Sequence, residues 1–314
     1  MKLKKSELNY INNSLHDITN KTVIITGANS GIGFAICQVL LMKHAHIVMA
    51  CRNIDRANKA KEELLKDFPS SNIEILIYDQ SSLEGCKKFA SDIIKEYPDF
   101  HALILNAGII GKKKEALFEN KVINTIGVNY IATSYILECL QPFLKESNIE
   151  HRIIFEGSVV ARHAKYKSGQ ISKTNYGKFR KYNISKCGVL NIFKTYASNN
   201  DNANILYLYS EPGIANTGII RNFPKLIQKA GYVFMSIFMH SNIMGALTTC
   251  YLAANYVANG DSFVPKHMFH TKGLPTRYNN FKKPINEEII KDGKMIIEDI
   301  YGTRWKLYKS DIAH

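Results

Sequence analysis

The sequence TGANSGIG, residues 26–33, lies between an apolar run typical of a β-strand and a run with helical character. Its three glycines therefore fall on a strand-to-helix turn. Gly27 permits a tight turn, Gly31 lets the backbone approach a phosphate, and Gly33 lets the helix pack on its strand. N–H groups at the helix start would face the anion. The pattern predicts a binding site for a dinucleotide pyrophosphate, and a purely structural glycine turn is the alternative.

Composition places the chain among globular proteins. Of its 314 residues, 46% are hydrophobic and 22% are charged. This length is sufficient for one α/β domain or two small ones. The net charge of +14 could attract a polyphosphate cofactor, an anionic membrane or nucleic acid. However, the lysines are spread along the chain and no nucleic-acid-binding motif accompanies them. We therefore expect a solvated lysine-rich surface and no nucleic-acid partner.

The cysteines and the N-terminus bear on location. The six cysteines form no CxxC pair, so we expect buried free thiols in a reducing compartment, with neither a zinc site nor disulfides. His267 and His270 lack carboxylate or thiolate neighbours at ligand spacing, so we expect no metal. Residues 1–20 are polar and mixed, without the apolar core of a signal peptide. We expect a leading helix or arm on a cytoplasmic protein.

Apolar runs of strand length alternate with helix-length segments after the glycine turn. This order predicts an α/β fold with a doubly wound parallel sheet, in which ligands bind at the carboxyl ends of the strands. The predicted strands cover residues 22–25, 46–50, 73–78, 101–105, 152–156 and 262–264. The predicted helices cover residues 34–41, 54–68, 83–97, 117–145, 182–198 and 245–258. Residues 161–178 are expected to lack regular structure, and residues 273–314 are expected to form loops and one helix.

The end of the second predicted strand bears on the cofactor. In a dinucleotide-binding fold this position meets the adenosine ribose, where a carboxylate favours NAD and a cation favours the 2′-phosphate of NADP. Here the strand ends in Cys51 and Arg52, and no acid occurs before Asp55. We therefore predict NADP(H) in preference to NAD(H). The alternative is that Arg52 is only an exposed residue at a helix start.

Two further features suggest acid–base chemistry. Tyr182 and Lys186 are four residues apart and would share one helix face, where an ammonium beside a phenol favours the phenolate. Such a pair could act as a general acid or base, or it could simply face solvent. Asn129 lies within an apolar helical segment, where a buried amide needs a hydrogen-bond partner. It could serve an interhelical hydrogen bond or an active site.

The order of these motifs resembles the short-chain dehydrogenase/reductase family over residues 21–263. The phrases TGANSGIGF, ACRN and GVNY, with the long gap between Ser158 and Tyr182, look like one subgroup of it. That subgroup contains retinol dehydrogenases, protochlorophyllide reductases and the WW-domain-containing oxidoreductase. The resemblance implies cofactor binding by Gly27, Asn29, Ser30, Gly31, Ile32, Gly33, Arg52, Asp79, Gln80, Asn106, Ala107, Gly108, Tyr182, Lys186, Pro212, Gly213, Ile214 and Thr217.

The same resemblance implies a catalytic set of Ser158, Tyr182, Lys186 and Asn129. Tyr182 would exchange a proton with the substrate oxygen during hydride transfer at nicotinamide C4, and Ser158 would hold that oxygen. Lys186 would bind the nicotinamide ribose and depress the pKa of Tyr182, while the backbone carbonyl of Asn129 would hold a linking water. Asp79 would bond the adenine amino group, although an Asp before two serines is also a good helix cap. Glu156 is unusual at its position and has no explanation from the sequence.

The final third of the chain is expected to set substrate and assembly. We divide the chain into an arm at 1–20, a Rossmann domain at 21–270 with a substrate lobe at 218–240, and an extension at 271–314. The apolar run at 232–239 suggests a lipophilic retinoid, steroid or aldehyde, a core helix, or a peripheral membrane contact. Family resemblance suggests a homodimer or homotetramer through the helices at 117–145 and 182–198. The alternative function is a redox-sensing scaffold that binds the dinucleotide without turnover.

Overall fold

A computed structural model describes residues 3–112, 114–214, 240–278 and 284–301 of the chain. Ten strands are described: β1 Thr22–Thr26, β2 His46–Cys51, β3 Ile73–Ile77, β4 Ala102–Leu105, β5 Leu117–Phe118, β6 Val122–Ile123, β7 His151–Glu156, β8 Ile205–Ser210, β9 Ser262–His267 and β10 Lys272–Arg277. The described α-helices are α1 Lys5–Ser14, α2 Gly31–Leu41, α3 Ile54–Asp67, α4 Leu83–Glu96, α5 Asn124–Ile126, α6 Ala132–Glu146, α7 Val159–His163, α8 Lys178–Ser198, α9 Asn242–Ala254 and α10 Glu287–Tyr301. A π-helix, Gly127–Ile131, connects α5 and α6.

Eight of the strands form one sheet in the order β10-β9-β8-β7-β4-β1-β2-β3. Neighbouring strands from β9 to β3 are parallel, and β10 alone runs antiparallel to its neighbour β9. The predicted doubly wound α/β fold is therefore confirmed. The strand order reverses at β1 and β4, so a crevice opens at their carboxyl ends, where open α/β sheets bind ligands.

Alternating side chains of the strands divide the core into two layers. In β1, Ile24 belongs to one buried cluster, while Val23 and Ile25 belong to the other. The first cluster is covered by α4, α6, α8 and α10, and the second by α1, α2, α3 and α9. The strands are apolar on both faces because each face is buried under helices.

The predicted helix at 117–145 is wrong at its beginning. β5 and β6 form a short hairpin there, and Glu119 and Asn120 at its turn adopt positive φ angles of 49° and 58°. The Glu119 carboxylate accepts a hydrogen bond from the backbone N–H of Leu83, 2.8 Å away, which fixes the turn against α4. Helical structure begins only at Asn124.

The structure also differs from the prediction in the segments that follow β7 and β9. α7 follows Ser158 directly and ends at His163, inside the segment at 161–178 that we expected to lack regular structure. β10 lies in the segment expected to contain loops and one helix, so the main sheet continues past residue 270. Most of the predicted substrate lobe at 218–240 lies outside the described residues.

Helix α10 is anchored on α8 and the π-helix through Tyr130. The Tyr130 hydroxyl donates a 2.6 Å hydrogen bond to the carbonyl oxygen of Ile289. A Cβ added to Gly188 of α8 would lie 2.4 Å from the Tyr130 ring, and one added to Gly293 of α10 would lie 2.3 Å from its hydroxyl. The two glycines therefore provide the space for this ring. α10 thus covers part of the helix face that we expected to join subunits.

The N-terminal helix α1 packs against the end of α9. α1 is the leading helix expected from the sequence, and the side-chain amide of Asn255 donates to the carbonyl oxygen of Ser14 at its end, 2.7 Å away. Across the ranges that the structure describes, no helix combines the length and apolar character that a membrane span requires.

We expect Gly188→Ala to lower the free energy of unfolding by about 1–3 kcal/mol, because the new methyl group overpacks the Tyr130 ring. Chemical denaturation followed by circular dichroism measures the effect. Gly177→Ala is the matched control, since its Cβ would meet nothing within 4 Å at the start of the same helix. Equal stability of the two variants would contradict the packing assigned to Tyr130.

Candidate active site

The glycine turn forms the floor of the crevice. Gly27 and Gly31 have φ angles of 67° and 60°, in the left-handed region that favours glycine. A Cβ on Gly33 would lie 2.4 Å from the carbonyl oxygen of Gly27, so α2 can approach its strand only with glycine there. A Cβ on Gly31 would meet nothing within 4 Å, so the backbone at this residue borders open space.

The predicted residues at four strand ends line one cavity of about 370 Å³. They are Gly27, Asn29, Ser30, Gly31, Ile32, Gly33, Arg52, Asp79, Gln80, Asn106, Ala107 and Gly108. A second cavity of about 270 Å³ shares Ile32, Asn106, Gly108 and Ile109 with the first, and is lined also by Tyr182, Lys186 and Pro212. The two cavities together form one crevice along the carboxyl edge of the sheet.

Hydrogen bonds from β1 fix the segment after β4. The Asn106 side chain donates to the carbonyl oxygen of Thr26 over 2.7 Å, and the Thr26 hydroxyl accepts from the backbone N–H of Ala107 at 2.9 Å. The same hydroxyl donates to the carbonyl oxygen of Ile104. The Asn106-Ala107-Gly108 segment is therefore held against the strand that carries the glycine turn.

The side chains at the end of β3 have separate tasks. Asp79 accepts hydrogen bonds from the backbone N–H and the hydroxyl of Ser81, at 3.0 and 2.6 Å. Ser82, not Asp79, caps α4 by accepting from the N–H of Gly85. Gln80 donates to the carbonyl oxygen of Val128 over 2.7 Å. The helix-cap alternative for Asp79 is therefore wrong.

Arg52 lies at the rim of the crevice. It is exposed, and the neighbouring Asn53 caps α3 by accepting from the N–H of Arg56 at 2.8 Å. Within the described chain the Arg52 guanidinium forms no ion pair, whereas Arg162 and Arg277 do. Its charge is thus available at the place where the second strand ends.

The structure brings Ser158, Tyr182 and Lys186 together at the carboxyl end of β7. Ser158 is the N-cap residue of α7, two residues beyond the strand, and its side chain lies close enough to the phenol of Tyr182 to lower the pKa of that group. Lys186, one turn further along α8, donates from Nζ to the carbonyl oxygen of Glu156 over 2.7 Å. Tyr182 and Lys186 therefore face the second cavity, and Ser158 lies beside the phenol of Tyr182.

The pKa of Tyr182 is raised, whereas we expected it to be lowered. Burial raises the pKa of Tyr182 to about 12, and the nearby Ser158 side chain only partly opposes this. Burial lowers the pKa of Lys186 to about 8. We expected Lys186 to depress the tyrosine pKa, but desolvation of the phenolate dominates.

Asn129 lies in the π-helix, a helix type that is often found at functional sites. Its side-chain amide donates to the carbonyl oxygen of Ile109 at 2.9 Å and to the hydroxyl of Ser185 at 3.0 Å, and its oxygen accepts from the N–H of Ile109. Asn129 thus joins α8 to the segment after β4. Its backbone carbonyl, to which the resemblance assigns a water, accepts from the hydroxyl of Thr133.

The loop after β8 is fixed from the antiparallel edge of the sheet. Gly213 has a φ of 70°, and a Cβ there would lie 2.4 Å from the carbonyl oxygen of Thr271. The same oxygen accepts from the N–H of Ile214 at 2.9 Å. His240 bonds to the carbonyl oxygen of Pro212 through Nε2. Thr217 lies outside the described residues.

The sequence did not reveal a set of buried residues behind Ser158. The backbone N–H of Ser158 donates to the Tyr209 hydroxyl at 3.3 Å, and that hydroxyl contacts the Glu211 carboxylate at 3.5 Å. Arg162 forms a 2.7 Å ion pair with Glu211, and burial raises the pKa of this carboxyl to about 7. A Cβ on Gly157 would lie 2.1 Å from Tyr209. The glycine before Ser158 was the only sequence signal for this packing.

The family model described as short chain dehydrogenase matches residues 21–227 of the chain. The chain belongs to this family. As a short-chain dehydrogenase it is an oxidoreductase, and the resemblance seen in its motifs is confirmed.

Relatives of this short-chain dehydrogenase include proteins of the subgroup expected from the sequence. The WW domain-containing oxidoreductase of Gallus gallus is 32% identical over 184 residues, which cover 55% of this chain and 44% of that protein. The human retinol dehydrogenase 14 is 29% identical, covering 77% of this chain and 76% of the relative. The chloroplastic short-chain dehydrogenase TIC 32 B of Brassica napus is 29% identical, with coverages of 76% and 77%.

Solved structures share the fold. An uncharacterised protein from Mycobacterium paratuberculosis matches with a TM-score of 0.68 at 19% identity, covering 94% of this chain and 98% of that one. L-sorbose reductase from Gluconobacter frateurii, solved with NADPH and L-sorbose, matches with a TM-score of 0.62 at 22% identity, covering 76% and 91%. At these identities the likeness concerns the fold alone.

We expect Tyr209→Phe to lower turnover about fivefold, because the N–H of Ser158 loses a partner worth about 1 kcal/mol. The phenyl ring keeps its place beside Gly157, so NADPH affinity should stay unchanged. Tyr207→Phe is the matched control, since this buried tyrosine of the same strand bonds to Gln141 instead. Steady-state kinetics and a fluorescence titration measure both; equal turnover in the two variants would contradict the role of Tyr209.

Proposed function

We propose that this short-chain dehydrogenase transfers a hydride between NADP(H) and a carbonyl or alcohol group of a lipophilic small molecule. The proposal rests on Tyr182 and Lys186, which line a cavity that continues into the glycine-lined crevice, and on Ser158, which lies beside the Tyr182 phenol. A binding site alone has no chemical need for these three groups. When bound, the dinucleotide supplies or accepts the hydride, and the chain supplies orientation and proton control.

The crevice fits a dinucleotide phosphate. α2 begins at Gly31 without a side-chain cap from Ser30, so N–H groups of its first turn remain for an anion. Gly31 borders open space at the same point, and Gly27 and Gly33 keep the turn compact. These residues would hold the pyrophosphate, while Lys186 and Tyr182 would hold the nicotinamide ribose.

Arg52 supports NADP(H) in preference to NAD(H). Its exposed guanidinium lines the crevice at the end of β2, where the adenosine ribose lies in this fold class. A guanidinium can bind a phosphate through two parallel hydrogen bonds. A carboxylate that would accept bonds from both ribose hydroxyls is missing from residues 51–54.

Tyr182 is suited to donate a proton. Because the pKa of its phenol is raised, the side chain is protonated at neutral pH and can give the proton to an alkoxide that forms during carbonyl reduction. Ser158 would donate a hydrogen bond to the same oxygen, a contact commonly worth about 2.7–4 kcal/mol. Lys186 and Asn129 would position these groups.

A lipophilic substrate is supported by the mouth of the site. Phe179 and Ile109 line the active-site cavity and are 52% and 37% exposed. Apolar side chains at such a position favour an apolar ligand. The named relative retinol dehydrogenase 14 supports the same substrate class.

We also propose a cytoplasmic location, a peripheral membrane contact and a homo-oligomeric assembly. The six cysteines are free thiols, and five of them are buried, which supports a reducing compartment such as the cytoplasm. The net charge of +14 and the exposed Phe179 would suit a peripheral contact with an anionic membrane. A homodimer or homotetramer through α6 and α8 would have to accommodate α10 on α8.

We expect Tyr182→Phe to reduce NADPH-dependent carbonyl reduction by at least 100-fold, because the proton donor is lost. NADPH affinity should change less than threefold. Tyr176→Phe, a tyrosine just before α8, is the control. A panel of aldehydes and ketones followed by loss of NADPH absorbance provides the measurement. Absence of wild-type turnover, with intact dinucleotide binding, would favour the redox-sensing scaffold.

We expect Arg52→Ala to weaken NADPH binding at least tenfold and to leave NADH binding unchanged, since a charge-assisted bond to the 2′-phosphate is worth about 1.5–3 kcal/mol. Arg56→Ala, exposed on the first turn of α3, is the control. Fluorescence titrations with both dinucleotides measure the selectivity. Parallel losses for NADPH and NADH would refute the assignment of Arg52.

A further inference from the structure

Glu156 is a buried acid at the last position of β7, and only 4% of the residue is exposed. Its backbone carbonyl holds the Lys186 ammonium, as described above, while its side chain lies with hydroxyl groups of β8 and α9. Oε2 is 2.7 Å from the Ser210 hydroxyl and 2.5 Å from the Thr249 hydroxyl. Oε1 is buried and has no hydrogen-bond partner within the described residues.

The three oxygen atoms form a closed triangle. The Ser210 and Thr249 hydroxyls are also 2.8 Å apart, which is itself a hydrogen-bond distance. Three hydrogen bonds need three protons, but two hydroxyl groups supply only two. A proton on Oε2 provides the third, so that the carboxyl group, Ser210 and Thr249 each donate once and accept once.

The unpartnered Oε1 supports the same protonation state. An ionised carboxylate carries charge on both oxygens and is costly to bury unless both are paired. A neutral carboxyl group leaves only a carbonyl-type oxygen without a partner. Burial also raises the pKa of Glu156, against the two hydroxyl contacts and Lys186.

Charged and titratable groups face Glu156 from two helices and one loop. Lys186 and Tyr182 face it from α8, Cys250 from α9, and Glu211 from the loop after β8. Glu211 is a second buried acid with a raised pKa, to which Glu156 contributes, so ionisation of both acids at once is disfavoured. Lys186 is the one neighbour among these that favours ionisation.

We propose that Glu156 is protonated in the free protein and ionises when the oxidised dinucleotide binds, so that this acid balances the positive charge of the nicotinamide ring. The inference rests on the proposed function, which puts the nicotinamide ribose at Tyr182 and Lys186. An added cation favours the ionised form of a nearby carboxyl group. The O–H bond of Oε2 breaks and its proton passes to the buffer, with no transfer of electrons. NADPH carries no ring charge and leaves the proton in place.

Difference infrared spectroscopy tests this directly, because a protonated carboxyl group has a C=O stretch that a carboxylate lacks. We expect saturation with NADP⁺ to remove one carboxyl band from the wild-type spectrum, and saturation with NADPH to leave it. Glu156→Gln should lack the band in both states. Asp292→Asn is the matched control: this buried acid of α10 accepts a 2.5 Å hydrogen bond from Tyr166 and should not affect the band.

A second measurement uses the affinity for NADP⁺ as a function of pH. Because binding releases one proton, the Kd for NADP⁺ should fall up to tenfold for each unit of rising pH in the wild type. The Kd for NADPH should lack this dependence, and Glu156→Gln should remove it for NADP⁺. If Glu156→Gln does not fold, Thr249→Val is the replacement variant for the infrared measurement. It removes one hydroxyl group from the triangle and should shift the frequency of the Glu156 carboxyl band.

Three outcomes overturn the inference or its basis. A Glu156→Gln spectrum identical to that of the wild type shows that Glu156 is ionised in the free protein. A carboxyl band that persists under saturating NADP⁺ shows that it does not respond to the ring charge. Failure of the wild type to bind NADP⁺, seen in the same titration, instead removes the proposed function and with it this inference.

Discussion

The hydrogen bond from the Lys186 ammonium to the carbonyl oxygen of Glu156 joins α8 to the carboxyl end of β7. It is short, at 2.7 Å, and buried, so the charge on the donor makes it stronger than a neutral hydrogen bond. Tyr182 lies one turn before Lys186, and Ser158 lies two residues after Glu156. The position of the phenol relative to the serine hydroxyl therefore depends on this contact between a helix and a strand.

Burial is the second determinant of the site. It raises the pKa of Tyr182 and Glu156 and lowers that of Lys186, so every titratable group at the end of β7 is biased towards its neutral form. A protonated phenol suits proton donation, while the low dielectric strengthens each hydrogen bond in the site. The same environment makes an unpaired charge expensive, which explains why Glu211 is paired with Arg162.

The sequence predicted those parts of the fold that depend on local pattern. Apolar runs predicted the parallel strands other than β8, which we did not predict, because both faces of the sheet are buried. TGANSGIG marked the crevice because glycine alone tolerates its backbone. The hairpin of β5 and β6 was missed because its two-residue strands carry no periodicity. β10 was missed because its antiparallel pairing with β9 is a tertiary contact. Tyr209 and Glu156 could not be assigned, since only their neighbours Gly157, Ser210 and Thr249 explain their positions.

We expect one dinucleotide to span the crevice from the glycine turn to the end of β7. A crystal structure of the wild-type chain with NADP⁺ tests it most directly. We predict the pyrophosphate at residues 27–33 and the nicotinamide ribose within hydrogen-bond distance of Tyr182 and Lys186, with Ser158 beside the phenol. A dinucleotide bound elsewhere, or the three side chains far apart, would contradict it.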